Sequence, residues 1–285
     1  MLKYLFILAL FFISCSGANK DCSLSYAKGI ESYTLDNSKV LKIRYFSQGV
    51  EIEAFLLKPI HITDTEKLPL ILYNRGGNRD YGSINLFQLK YLDQIVSHGF
   101  VVLASQYRGN LSSEGIDEYG GKDAEDLLCL INLTNKIQYI DQKRIGVLGF
   151  SRGGMMSYIL AKKTSKLKAI ATVGAPSNLF QSSKDRPRLY DKVYKELIGD
   201  TINNRKEFIN RSAVFWSDSI NAPMLIIHGD NDKRVSFKQS ERLKDSLEKN
   251  NKPHKFILIE KGNHSISNRS LLRDSIIVQW FKKHL

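Results

Sequence analysis

The chain has 285 residues, 42 Lys and Arg against 29 Asp and Glu, and a formal charge of +13. That length suits one α/β domain with a full core, and 42% hydrophobic with 25% charged residues excludes disordered and fibrous classes. The cations are scattered rather than clustered with aromatic residues and no nucleic-acid-binding motif is present, so nucleic acid is set aside as a partner in favour of anionic lipid, envelope polymers or acidic substrates.

The chain opens with Lys3, an apolar run from Tyr4 to Ile13, and Ser14-Cys15-Ser16-Gly17. A charged start followed by about ten apolar residues reads as an export signal, too short to span a bilayer. Ser14-Cys15 is similar to the lipobox of bacterial lipoproteins, with Phe12 where that pattern has Leu, which makes Cys15 the expected lipidation site and residues 15–39 a tether. Ordinary secretion with cleavage elsewhere is the alternative. Cys22 is expected as an exposed thiol in that tether and Cys129 as a core residue, with no disulfide. No C-x-x-C or H-x-x-x-H spacing points to a metal, and no cofactor is expected.

From Val40 to Pro59 the sequence alternates around Ser47-Gln48-Gly49, predicting an antiparallel hairpin. Leu68 to Tyr73 is a continuously apolar, buried strand ending in Asn74-Arg75-Gly76-Gly77. A helix is predicted from about Ile84 to Ser97, a strand from Phe100 to Ser105 and a helix from Asp123 to about Gln138. Further strands follow at Leu167 to Val173, Pro223 to Ile227 and Lys255 to Ile259, with helices at Phe237 to Lys249 and Leu271 to Lys283. This alternation predicts an α/β fold with a mostly parallel sheet covered on both faces and an N-terminal antiparallel hairpin. Residues 177–221 interrupt it as a cap-like insertion, with Tyr190, Tyr194, Phe208 and Phe215 as candidate anchors or pocket walls.

The chemistry centres on Gly149-Phe150-Ser151-Arg152-Gly153, between an apolar strand and a helical pattern. A serine on a sharp strand-to-helix turn brings neighbouring backbone together, which explains the flanking glycines of this nucleophile elbow. A serine needs a base, and the base a carboxylate, from loops after later strands. Asp230 and Asp232 follow one such strand, and Gly262-Asn263-His264 the next. Of six histidines, His61 and His98 lie early, His254 starts a strand and His284 is at the tail. His228 is read as a structural residue bonded to the acid loop, which leaves His264 as the general base.

From Val40 to Leu285 the chain resembles the serine peptidases of the prolyl oligopeptidase group, a branch of the α/β-hydrolase superfamily. The resemblance rests on Gly149 to Gly154, the H-G-x-x-D-x-x-V pattern from His228 to Val235, and Gly262-Asn263-His264. Tyr107-Arg108-Gly109, Gly121 to Asp126 and Arg211-Ser212-Ala213 support it. It implies an acyl-enzyme mechanism on Ser151 with His264 and, rather than Asp230, Asp232. It also implies an oxyanion hole from the backbone N–H of Arg152 and the Gly76-Gly77 segment, Gly77 being the nearer analogue. Arg75 stands where relatives carry His or Tyr and is read as a rim residue paired with an acid. The stretch between Cys15 and Val40 is too short for the β-propeller of peptide-selective members, so local loops are expected to select substrates. The leading expectation is cleavage of short peptides. The alternatives are a carboxylesterase or deacylase, for example on acylated polysaccharides, and a non-catalytic surface binding protein.

Overall fold

The computed structural model describes residues 22–25, 31–63 and 65–285. The apolar run from Tyr4 to Ile13 and Cys15 lie outside them. Strands β1 (Cys22–Ser25), β2 (Ser32–Thr34) and β4 (Val50–Pro59) each pair antiparallel with β3 (Ser38–Ser47), and β4 also pairs antiparallel with β6 (Val101–Ser105). From there β6, β5 (Leu68–Asn74), β7 (Ile140–Phe150), β8 (Leu167–Val173), β9 (Met224–Gly229) and β10 (His254–Ile259) run parallel, in that spatial order. The sheet is the mixed, mostly parallel one expected of an α/β hydrolase.

Alternation within the buried strands divides the core in two. Leu70, Leu72, Val101 and Leu103 face α2 (Lys122–Leu133), α3 (Arg152–Lys163) and α8 (Lys238–Lys249). Ile71, Tyr73, Val102 and Ala104 face α1 (Leu86–Val96) and α9 (Ser270–His284). Each strand residue thus buries its side chain against a helix on one face or the other, at about 1.5–3 kcal/mol for a fully buried aliphatic group. The insertion forms α4 (Leu179–Asp185), α5 (Pro187–Leu189) and α6 (Lys195–Leu197) around a π-helical turn at Tyr190–Tyr194, then α7 (Arg205–Asn210). It packs on the α3 face through Tyr194 and Phe208, both buried. Among the described residues no helix is long and apolar enough to cross a membrane.

Two expectations for the N-terminal region are corrected. Residues 22–25 and 32–34 are strands hydrogen-bonded to β3 rather than a tether, because β3 offers edges along its outer side. Cys22 is not a free thiol: β1 sets it opposite α2, where it forms a disulfide with Cys129 at a Cα separation of 5.5 Å. The pairing escaped the sequence because a short polar segment 107 residues from its partner carries no register signal.

Candidate active site

Strand β7 ends at Phe150 and α3 begins at Arg152, so Ser151 alone makes the turn, at φ 53° and ψ −121°. A non-glycine residue held there stores about 1–3 kcal/mol, maintained by its surroundings. The Ser151 N–H donates to Val173 O at 2.8 Å and its carbonyl accepts from Gly154 N–H at 2.9 Å. A Cβ on Gly153 would land on the Asn74 carbonyl at the end of β5, and one on Gly149 would strike the Gly153 backbone. The glycines are required by close approach on two sides of the elbow.

Loops after β9 and β10 bring the partners in. His264 Nε2 lies 2.9 Å from Ser151 Oγ, and His264 Nδ1 lies 2.7 Å from Asp232 Oδ2. The Asp232 side chain is fully buried, and its Oδ1 accepts from the N–H groups of Arg234 (2.7 Å) and Val235 (2.9 Å). Its Oδ2 takes a second imidazole, His228 Nε2, at 3.0 Å. That nitrogen also faces Val235 O at 2.9 Å; beside a carboxylate and a carbonyl, which only accept, it carries the proton. His228 Nδ1, 2.7 Å from Ser240 Oγ, then accepts from the hydroxyl. Burial alone pushes the Asp232 carboxyl up, but the bonds from His228 and His264, the His264 charge and the Val235 N–H outweigh it, holding the group well below the usual carboxylate range. Asp230 is exposed and contributes only its N–H, to Ile259 O at 3.2 Å. His254 bonds the Lys252 carbonyl and His284 stacks on Trp280.

On the other side of Ser151 lies the segment after β5. A Cβ on Gly76 would sit 3.3 Å from the Ser151 Cβ, so this backbone is against the serine. Gly77 has φ +80°, and a side chain there would run into the Tyr81 carbonyl. As the first residue of α3, Arg152 has an N–H without an intrahelical acceptor. Two backbone segments thus flank Ser151, the start of α3 at Arg152 and Gly76-Gly77 after β5.

Arg75 is corrected from a rim residue to a buried one. It is 0% exposed and, among the described residues, forms no ion pair with an acid; its guanidinium donates to the carbonyls of Gly76 (2.9 Å), Arg79 (2.8 Å) and Tyr81 (3.2 Å). Burial, and then the Arg152 charge, bring its pKa down to about 10. Arg152 is buried too, bidentate to Asp117 at 2.7 and 2.6 Å and paired with Asp123. Both guanidinium groups lie over the Tyr107 ring, at 4.8 and 4.9 Å. The Arg108–Asp126 pair, at 2.8 and 2.5 Å, and Arg211, donating to Tyr119 O at 3.0 Å, explain the supporting motifs as buried frame rather than chemistry. Sequence reading missed Asp117, since one acid in a polar loop carries no mark of its burial.

In the insertion, Tyr194 and Phe208 are core residues; Tyr190 is half-buried and stacks near Phe208, and Phe215 is exposed. The Arg79 guanidinium, on the loop after Gly77, bonds Glu196 and so joins this loop to the insertion.

The model of the prolyl oligopeptidase family matches residues 87–285. Among curated proteins, the uncharacterized peptidase YtmA of Bacillus subtilis is 29% identical over 249 residues, 86% of this chain and 93% of its own length. The acylamino-acid-releasing enzyme of Rattus norvegicus is 24% identical over 253 residues, 83% of this chain but 34% of that protein. Among solved structures, an acylaminoacyl peptidase of Pyrococcus horikoshii superposes with a TM-score of 0.76 at 24% identity, covering 88% of this chain and 42% of that one. The chain thus spans nearly all of the first relative and about a third of the second.

Proposed function

We propose, from the premise that this chain belongs to the prolyl oligopeptidase family, that it is a serine peptidase of short peptides working through an acyl-enzyme on Ser151. The observation that carries the reading is the relay of Ser151 Oγ, His264 and buried Asp232 at 2.9 and 2.7 Å. Ser151 Oγ attacks the peptide carbonyl carbon while His264 Nε2 takes its proton, and Asp232 holds the imidazole and stabilises its charge. The N–H groups of Arg152 and Gly77 receive the oxyanion, each contributing about 3 kcal/mol. His264 then returns the proton to the leaving amine, and water, deprotonated by the same imidazole, releases the acid.

The insertion of residues 177–221 is proposed to set side-chain preference. With Tyr194 and Phe208 in the core, Tyr190 and the Arg79–Glu196 link are its best-placed elements. An exported, lipid-anchored location on the bacterial cell envelope is proposed as well. It is supported by the apolar run ending at Ser14-Cys15 and by the Cys22–Cys129 disulfide, which persists in oxidising compartments. Loss of membrane association in Cys15→Ala tests the anchor.

The function is tested with a fluorophosphonate probe and with kinetics on peptide anilides beside p-nitrophenyl esters. Labelling at Ser151, its loss in Ser151→Ala and appreciable anilide turnover are expected. Labelling elsewhere removes the assignment of the nucleophile, and turnover of esters alone makes the protein a carboxylesterase on the same machinery.

A further inference from the structure

We infer that Asp117 is a positioning residue for the oxyanion hole, tying the loop that carries Gly77 to the turn that carries Arg152 so that both backbone donors stand at one spacing. The inference rests on the acyl-enzyme reading of Ser151 and concerns a residue that touches neither substrate nor triad.

A buried arginine needs a counter-ion, and Asp117 could be only that. Arg152 already has one in Asp123, whose remaining bonds go to Gly120 N–H, in the segment leading into its own helix. Asp117 differs in what else it holds. Its Oδ2 accepts from Arg152 Nη1 at 2.7 Å and, at the same length, from the backbone N–H of Arg79. Its Oδ1 accepts from Arg152 Nη2 at 2.6 Å and from Tyr119 N–H at 2.9 Å. Arg152 Nη1 also reaches the Gly77 carbonyl at 3.3 Å. A ring results: Gly77 O to Arg152, Arg152 to Asp117, Asp117 to Arg79 N–H, and back along the chain to Gly77. The ring contains both residues whose N–H groups face the oxyanion.

Arg75 closes the same loop from its other side, through the carbonyls of Gly76, Arg79 and Tyr81. The loop is therefore gripped by a cation at its carbonyls and by an anion at an N–H, with Tyr107 under both guanidinium groups. Such a frame fixes donors before the reaction starts, and donors that need no reorganisation stabilise an oxyanion best.

The test compares Asp117→Asn with Asp123→Asn, since each removes one charge from beside Arg152 and only the first releases the loop. Active sites are counted by fluorophosphonate titration, after wild-type labelling and turnover are established; failure at that step removes the acyl-enzyme reading rather than this inference. Per active site, Asp117→Asn is expected to lower kcat on a peptide anilide about 10- to 100-fold with KM little changed, and to weaken an oxyanion-forming trifluoromethyl ketone by the same factor. Asp123→Asn is expected to lose less than about 3-fold in either. Equal losses in the two variants, or unchanged kcat and ketone affinity in Asp117→Asn, overturn the inference. Should Asp117→Asn not fold, Arg152→Lys serves: it keeps a cation beside both acids but has no fork to reach Asp117 and Gly77 O together. The same kcat and ketone losses at constant KM are expected, and unchanged values overturn the inference.

Discussion

Ser151 stands between two hydrogen-bond networks built from opposite materials. On the side of His264 and Asp232, the partners are imidazoles and a carboxylate, groups that can pass or polarise a proton. On the side of Gly77 and Arg152, the frame is two guanidinium groups with Asp117 and Asp123, whose ion pairs and carbonyl contacts grip the backbone in place. Burial acts against the charge of both carboxylates, yet Asp232 is held low chiefly by hydrogen bonds and Asp117, down to about 2, chiefly by the Arg152 charge. The contrast fits the mechanism proposed above, in which a proton moves on one side, whereas on the other the backbone donors stay still.

The sharpest way to break this comparison is at the acid. Asp232→Asn is expected to lower kcat about 10⁴-fold, because an amide at that position holds the imidazole in the wrong tautomer. Asp230→Asn, two residues away on an exposed turn, is expected to change it less than about 2-fold. Steady-state kinetics on one anilide decides it; similar losses in both would show that the relay does not depend on a single carboxylate.

A smaller effect is expected at the second imidazole. His228 Nε2 donates to the same Asp232 oxygen that receives His264, so His228→Leu strips one bond from a buried anion. About a 10-fold loss in kcat is expected, the worth of one hydrogen bond to a charged group, with most of it regained in His228→Gln, whose amide can donate from a similar place. No loss in well-folded His228→Leu would leave His228 a packing residue, as its links to Ser240 and Val235 alone permit.

The same two networks differ in how they are written in the chain. The elbow and the two later loops are short contiguous patterns, because one sharp turn or one loop sets each side chain; the alternation of strands and helices, and with it the mostly parallel sheet, is legible for a similar local reason, whereas the spatial order of the strands is not. The frame around the oxyanion side joins Arg75, Tyr107, Asp117 and Arg152, four segments that meet only in the folded protein. Arg75 illustrates the limit: a guanidinium usually marks a surface, and only the three carbonyls of a tight loop make its burial tolerable. Cys22 fails in the same way, since its meaning depends on a helix far along the chain.

That disulfide supplies the mildest test, one of stability without chemistry. Bridging residues 107 apart restricts the unfolded chain, and loss of such a bond typically costs about 2–5 kcal/mol. Cys22→Ser with Cys129→Ser is therefore expected to lower Tm by about 5 °C or more in calorimetry. Activity below the transition should be untouched if the bridge only fastens β1 to the sheet. Helix α2 makes the outcome informative: Cys129 is six residues beyond Asp123, which pairs with Arg152. A helix that shifts when its cysteine is freed would carry Asp123 with it and lower kcat by no more than about 3-fold, the loss expected of Asp123→Asn. Constant kcat at lowered Tm instead means that the Arg152 frame is held by its own ion pairs, independent of the covalent staple two turns away.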